Sequence, residues 1–341
     1  MNSKVAVVIL NWNGHALLQQ FLPSVVEHSG NADIYVADNA SSDDSVKFMK
    51  ENFPSVKIIQ NSRNGGYAGG YNDALQHIEA DYFVLLNSDV EVTGNWIEPI
   101  QKLMDADPTI AACQPKVLSY HDKEKFEYAG AAGGYIDRYG YPFCRGRVFD
   151  TCETDNGQYN DTRQCFWATG ACMFVRAEAF EKVGKLDEDF FAHMEEIDLC
   201  WRMQQFGYII MVCPESVVFH IGGGTLSQQN SKKTFLNFRN GLGLLLKNLP
   251  LGMVWYKLPL RVALDHIAAY KFLFQGKKED FWAIAQAHRD FFGHFNKWRK
   301  KRYHHQRKNL LPGVYDGSIV WKYFVTKVRT FSKLKESKFT K

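Results

Sequence analysis

The sequence predicts an α/β fold: a mostly parallel central sheet flanked by helices, followed by a helical extension. Three observations carry this. Short apolar runs alternate with amphipathic segments through the first hundred residues, the pattern of βαβ units. Each apolar run ends in amides or acids, as strands do when a ligand crevice lies beyond their carboxyl ends. From about residue 226 the apolar residues recur at helical spacing instead.

Taken in order, "KVAVVIL" is a buried strand that ends at Asn11–Asn13, and residues 15–28 carry a helical pattern. "DIYVAD" is a second strand ending at Asp38–Asn39; a helix over 41–52 follows, with Ser and Asp suited to cap it. "VKIIQN" is a third strand, and a Gly-rich turn leads into a helix over about 67–79. "YFVLLN" is a fourth strand and runs straight into Asn87, Ser88 and Asp89. Residues 120–165, rich in Gly, Tyr and Asp and without a clear period, read as a long loop or short hairpins. "ATGACMFVRAEAFEKVG" then gives a strand and a helix, "FFAHMEEIDLCWRMQQFG" a helix ending at Gly207, and "YIIMVCP" a strand. Runs such as "LRVALDHIAAYKFLF" make the remainder mostly helical, with a boundary near 225.

Composition narrows the class. With 45% apolar and 23% charged residues in 341, the chain can bury a sizeable core and is not a disordered one. Seven cysteines, an odd number without a C-x-x-C, point to reduced, mostly buried thiols rather than a disulfide framework or a zinc site. The six apolar residues "VAVVIL" are too few for a signal peptide, and no run of eighteen apolar residues exists. The expectation is a cytoplasmic protein that does not span a membrane. The net charge of +4 hides a segment, 297–341, carrying +12. "FNKWRKKRYHHQRK" mixes Trp298 and Tyr303 with basic residues, which fits an anionic membrane surface at the cytoplasmic face. Nothing else supports nucleic acid as the partner.

The polar strand ends carry the chemistry. Asn87-x-Asp89 at a strand terminus suits a hard divalent cation, with Asp89 the best ligand and Asn87 placed for a ribose hydroxyl or a water. Glu91 can join them only if the strand continues. A carboxylate at Asp38 can accept from a base N–H or a ribose hydroxyl. "NSRNGGYAGGYNDAL" has four glycines in six residues, which let backbone approach a ligand and free N–H groups for phosphate. The dinucleotide fingerprint is absent because Tyr67 stands at its second glycine, and the P-loop is absent too. In "HMEEIDLCWR", Asp198 has Arg202 four residues on, an ordinary helix ion pair. Glu195 and Glu196 have no such partner.

"ILNWNG", "VADNASSDDS", "NGGYAGGYNDAL", "LLNSDVEV", "TGACMFVRAEAFEKVGKLDEDFF", "EEIDLCWR" and "VVFH" occur in that order. Together they resemble the family-2 inverting glycosyltransferases of the GT-A fold, in particular the bacterial rhamnosyltransferase-like branch, over about residues 4–225. The resemblance implies a catalytic domain at 1–225, with the nucleotide sugar bound by about 1–115 and the acceptor and catalytic groups in about 116–225. Residues 226–341 are then a helical, basic extension. It further implies Leu10 and Trp12 against the base and Asp38 bonded to it, with Asn64 and Gly66 approaching the nucleotide. Asn87-Ser88-Asp89 stands at the family's metal motif, and His220 at its metal-binding histidine. Where the family has an aspartate as base this chain has Glu196, so either Glu196 or Glu195 takes that role. The implied activity is transfer of a sugar, rhamnose by the branch resembled, from a UDP- or dTDP-linked donor with Mg²⁺ or Mn²⁺. The acceptor is a saccharide or lipid-linked saccharide of a cell-surface polysaccharide. A sugar nucleotidyltransferase and a non-catalytic saccharide-binding protein on the same scaffold are the competing readings. The oligomeric state is not legible.

Overall fold

A computed structural model describes residues 3–222, 231–302 and 311–341. The N-terminal part alternates as its apolar pattern requires: β1 (Val5–Asn11), α1 (His15–His28), β2 (Asp33–Asp38), α2 (Ser45–Asn52), β3 (Lys57–Gln60), α3 (Gly66–Leu75) and β4 (Tyr82–Asn87). The chain continues through β5 (Val90–Val92), α4 (Glu98–Ala106) and β6 (Ile110–Ser119). Short strands follow: β7 (Gly134–Asp137), β8 (Pro142–Cys144), β9 (Arg147–Val148), β10 (Thr151–Cys152) and β11 (Arg163–Gln164). Then come β12 (Cys172–Arg176), α5 (Ala177–Lys182), α6 (Glu195–Gln205) and β13 (Ile209–His220).

The main sheet runs β11-β13-β6-β12-β4-β1-β2-β3, with β5 paired to β13. Across β4-β1-β2-β3 it is parallel, and β12 enters antiparallel to both β4 and β6. The sheet is therefore mixed, its parallel half being the half with βαβ crossovers. Val5–Ile9 and Phe83–Leu86 are buried on both faces, which is why their runs are continuously apolar rather than alternating.

Four helices follow: α7 (Ser231–Asn248), α8 (Leu251–Phe274), α9 (Lys278–Gly293) and α10 (Phe295–Lys300). Among the described residues the helical reading of the extension covers these, and only short turns beyond them. β14 (Val314–Tyr315) lies parallel to β7 and completes a second sheet, β10-β9-β8-β7-β14; residues 321–338 form only short helical turns. The basic end of the chain is thus a strap docked on the body. Trp298 is buried against Phe190, and Tyr303 lies outside the described residues. Among the described residues no helix is long and apolar enough to cross a membrane.

Candidate active site

Strand register decides which polar ends meet. Asn11 sits opposite Asp38, and Leu10 opposite Asn87, so the ends of β1, β2 and β4 share one rim. Cys172 of β12 faces Leu86, which sets Thr169–Ala171 on that rim from the other direction. His220 pairs with Val90, one residue past Asp89. The rim opens into a cavity of about 280 Å³ lined by Leu10, Trp12, Asn64, Gly66, Asn87, Ser88, Asp89, Glu195, Glu196 and His220. Asp38 stands behind this lining. Its carboxylate accepts from Asn11 Nδ2 at 3.1 Å and from the Ser41 amide at 3.0 Å. Glu91 points away and pairs with Lys123 at the surface.

At one end of the cavity His220 Nε2 lies 3.1 Å from Asp89 Oδ1 and 3.5 Å from Asn87 Nδ2. Its Nδ1 is 3.2 Å from Glu127 Oε2, close enough for charge pairing though outside hydrogen-bond geometry. Burial disfavours the imidazolium, but the carboxylates of Asp89 and Glu127 outweigh it and raise His220 to about 10. Among the described residues no group of three or more His, Cys, Asp or Glu is arranged to hold a metal. A hard cation that keeps its waters and takes phosphate oxygens needs only one or two protein ligands. Asp89 fits that smaller requirement, and His220 would join it once a cation displaces the Nε2 proton, with Glu127 beside Nδ1.

At the other end Glu195 and Glu196 open α6. Both Oε2 atoms are buried without a hydrogen-bond partner among the described residues. Burial, then the charge of Glu196, pushes Glu195 well above the usual carboxyl range. Burial lifts Glu196, which lines the cavity less deeply, to about 7. Burial disfavours the ionised form of both adjacent carboxyls, and the charge of Glu196 disfavours that of Glu195 further. Asp198 does something else. It is fully buried and bonded to Arg202, Lys247 and Asn248 at 2.7–2.8 Å, so it anchors α6 to α7.

The turn before α6 is strained. Phe191, His193 and Met194 all have φ between 64° and 75°. Asn240 of α7 holds it by donating from Nδ2 to the carbonyls of Phe190, Ala192 and His193 at 2.7–2.9 Å. Arg239 donates to the Asp189 and Phe190 carbonyls, and Lys301 pairs with both Asp187 and Asp189. His193 faces the cavity and is neutral, since burial pushes it down to about 4.

The Gly-rich turn serves this same loop rather than a phosphate. The amides of Tyr67 and Ala68 both donate to the Phe191 carbonyl, and those of Gly65 and Gly66 to Asn39 and Asn64. Gly66 is required there: its φ is +69°, and a Cβ would stand 2.4 Å from the Phe191 oxygen. Sequence reasoning missed Glu127, His193 and Asn240 as parts of the site. His193 lay inside a quoted motif; Glu127 lay in a segment without periodicity, and Asn240 acts from a helix whose register alone gives no hint.

A family model for glycosyl transferase family 2 matches residues 6–184. Over 239 residues the chain is 25% identical to the N-acetylglucosaminyl-diphospho-decaprenol L-rhamnosyltransferase of Mycobacterium tuberculosis, covering 64% of this chain and 76% of that protein. It is 23% identical over 248 residues to the low-salt glycan biosynthesis hexosyltransferase Agl10 of Haloferax volcanii, covering 70% and 75%. The crystal structure of GalNAc-T7 with UDP, GalNAc and Mn²⁺ is similar at a TM-score of 0.59 and 17% identity, over 92% of this chain but only 59% of that one. At that identity the likeness shows the fold, which is GT-A.

Proposed function

The chain belongs to glycosyl transferase family 2, and from that premise we propose that it is a metal-dependent, inverting hexosyltransferase. Its donor is a UDP- or dTDP-linked sugar, with rhamnose favoured by the M. tuberculosis relative, and its acceptor a saccharide or lipid-linked saccharide. One observation carries the reading. The Asp89–His220 pair and the unpartnered Glu195–Glu196 pair line the same cavity, beyond the ends of the parallel strands.

Asp89 and His220 are the residues that would hold Mg²⁺ or Mn²⁺, which when bound neutralises the charge growing on the departing diphosphate. Leu10 and Trp12 offer an apolar lip for the base, and Asn64, Gly66, Asn87 and Ser88 line the path between base and diphosphate. Asp38 acts one layer back by fixing Asn11 and the turn at Ser41. Glu196 takes the proton of the acceptor hydroxyl. That oxygen bonds to the anomeric carbon as the bond to the diphosphate breaks on the opposite face, so configuration inverts in one displacement. Protonated Glu195 lets Glu196 work without a second negative charge beside it.

The test is a panel of nucleotide sugars with Mn²⁺ and saccharide acceptors, read as nucleoside diphosphate release and as the anomeric configuration of the product. Release with inversion, abolished by chelation, is expected. Pyrophosphate chemistry, retained configuration, or no turnover with any donor would overturn the proposal.

A further inference from the structure

Helix α8 is polarised against its surroundings. Its charged residues Lys257, Arg261 and Asp265, spaced four apart, are buried. Arg261 donates to Asp265 Oδ1 at 2.8 Å and stacks 4.0 Å over the Tyr141 ring. The outward face carries Trp255, Tyr256, Leu260, Ile267, Tyr270 and Phe274 instead, with Trp255 79% and Phe274 87% exposed. Between Leu251 and Tyr270 the exposed positions include no Lys, Arg, Asp or Glu. A helix facing water has the reverse arrangement. Scattered exposed apolar residues are ordinary, but a contiguous face of them marks a contact surface. The face reaches the strap at exposed Phe324, whose ring lies 4.3 Å from Lys271, and Tyr270 packs on Phe281 of α9.

We propose that this face docks on an anionic phospholipid bilayer, lying in the headgroup boundary without crossing it. Its chemistry fits that occupant. Trp and Tyr favour the boundary, and exposed Lys271, Lys277 and Lys278 at the end of α8 reach headgroup phosphates, with Glu279 the exposed acid beside them. Several residues of the basic segment 297–341 are already engaged by the body. Lys297 and Lys301 are held by Asp187 and Asp189, Arg302 by the carbonyls of Leu246 and Leu249, and Trp298 is buried. Docking through the apolar face of α8 resists salt, where docking through a polybasic tail would not. The inference rests on the proposed function for its purpose, delivery to a lipid-linked acceptor, and not for its geometry.

The full chain is sedimented with phosphatidylcholine vesicles containing about 30% phosphatidylglycerol, at low salt and at about 0.5 M sodium chloride. Wild type is expected to bind in both, losing no more than about threefold. The variant W255S/F274S should bind at least about tenfold more weakly at either salt, with unchanged thermal unfolding. K333S/K335S/K338S, in the strap, should bind like wild type. Absence of binding, loss of binding at high salt, or wild-type binding by W255S/F274S would overturn docking. So would a lipid-free dimer that W255S/F274S converts to monomer. Diphosphate release with a soluble acceptor, measured on the same preparations, separates this failure from that of the enzyme reading. An active protein that ignores vesicles refutes docking alone, and a bound protein with no turnover refutes the transferase alone.

Discussion

Glu196 is the residue at which the chemistry and the fold make opposite demands. A general base has to be ionised, yet burial at the start of α6 lifts this carboxyl to about 7. Its charged form is the active one, so turnover should rise with pH through about 7 and not through the ordinary glutamate value of 4.5. The raised value makes Glu196 a stronger base, close to the pH at which it works. Glu195 is pushed well above the ordinary carboxyl range, first by burial and then by the charge of Glu196. Glu196→Gln is therefore expected to lower kcat by about 10²–10⁴ while leaving donor KM near wild type. Glu195→Gln, which swaps a protonated carboxyl for a similar neutral group, should keep the acid limb of kcat/KM near 7. Both are read from pH–rate profiles at saturating Mn²⁺. A limb near 4.5, or one that Glu195→Gln moves and Glu196→Gln does not, would reassign the base.

The element that sets those carboxyls is the turn Phe191–Met194, and what holds that turn comes from α7. Three positive-φ residues in four do not persist without support, and the Nδ2 of Asn240 serves the carbonyls of Phe190, Ala192 and His193 around them. Asn240→Ala takes the donor from the Ala192 and His193 carbonyls, while Phe190 keeps Arg239, at a cost of about 1–3 kcal/mol in stability. A merely structural role would end there. As a positioning residue, Asn240 should also depress kcat about tenfold or more at temperatures well below unfolding, hold donor KM, and shift the acid limb as Glu196 leaves its buried setting. An unchanged pH profile beside a lowered melting temperature would reduce Asn240 to packing. This division also explains what could be read from sequence. The βαβ alternation of residues 4–87 was legible because each element declares itself locally, and register then brought Leu10, Asn87, Asp89 and His220 to one cavity. Glu195 and Glu196 were legible as acids without a helix partner, and they are so in the fold. Of the second sheet only the short hairpins were legible, as one of two readings of 120–165; its closure was not, because strands of two to four residues carry little period and β7 finds its neighbour β14 far along the chain. Asn240 and Glu127 were invisible for the same reason, since their meaning lies in long-range contacts. The Gly-rich turn was visible, but the N–H groups expected to be free for phosphate are taken by the Phe191 carbonyl, Asn39 and Asn64, because glycine signals close approach without saying what approaches.

For the whole molecule, the last thirty or so residues act as a clamp across the small sheet. Its strands are too short to be stable by pairing alone, and β14 covers the open side of β7. Asp137 accepts from the amides of Tyr139, Tyr141 and, across the strap, Ile319 at 2.8–2.9 Å. The Phe331 amide and the Ser332 hydroxyl both donate to Glu153. The Phe331 ring packs against Tyr135, Phe143, Tyr159 and Phe339, with centroids 5.0–6.1 Å apart. None of these residues lines the catalytic cavity. Truncating the ring should therefore separate stability from chemistry. Phe331→Ala removes a buried aromatic from a cluster that cannot close around the gap, at a cost of about 3–5 kcal/mol. For a chain of this size the unfolding temperature should fall by about 4–7 degrees. Well below that temperature kcat and donor KM should match wild type, because the parallel half of the sheet and the turn held by Asn240 do not depend on the ring. Calorimetry and steady-state assays on the same preparation decide it. A loss of kcat at constant melting temperature would mean that the strap couples to the cavity. No change in either would mean that the strap is not docked as described.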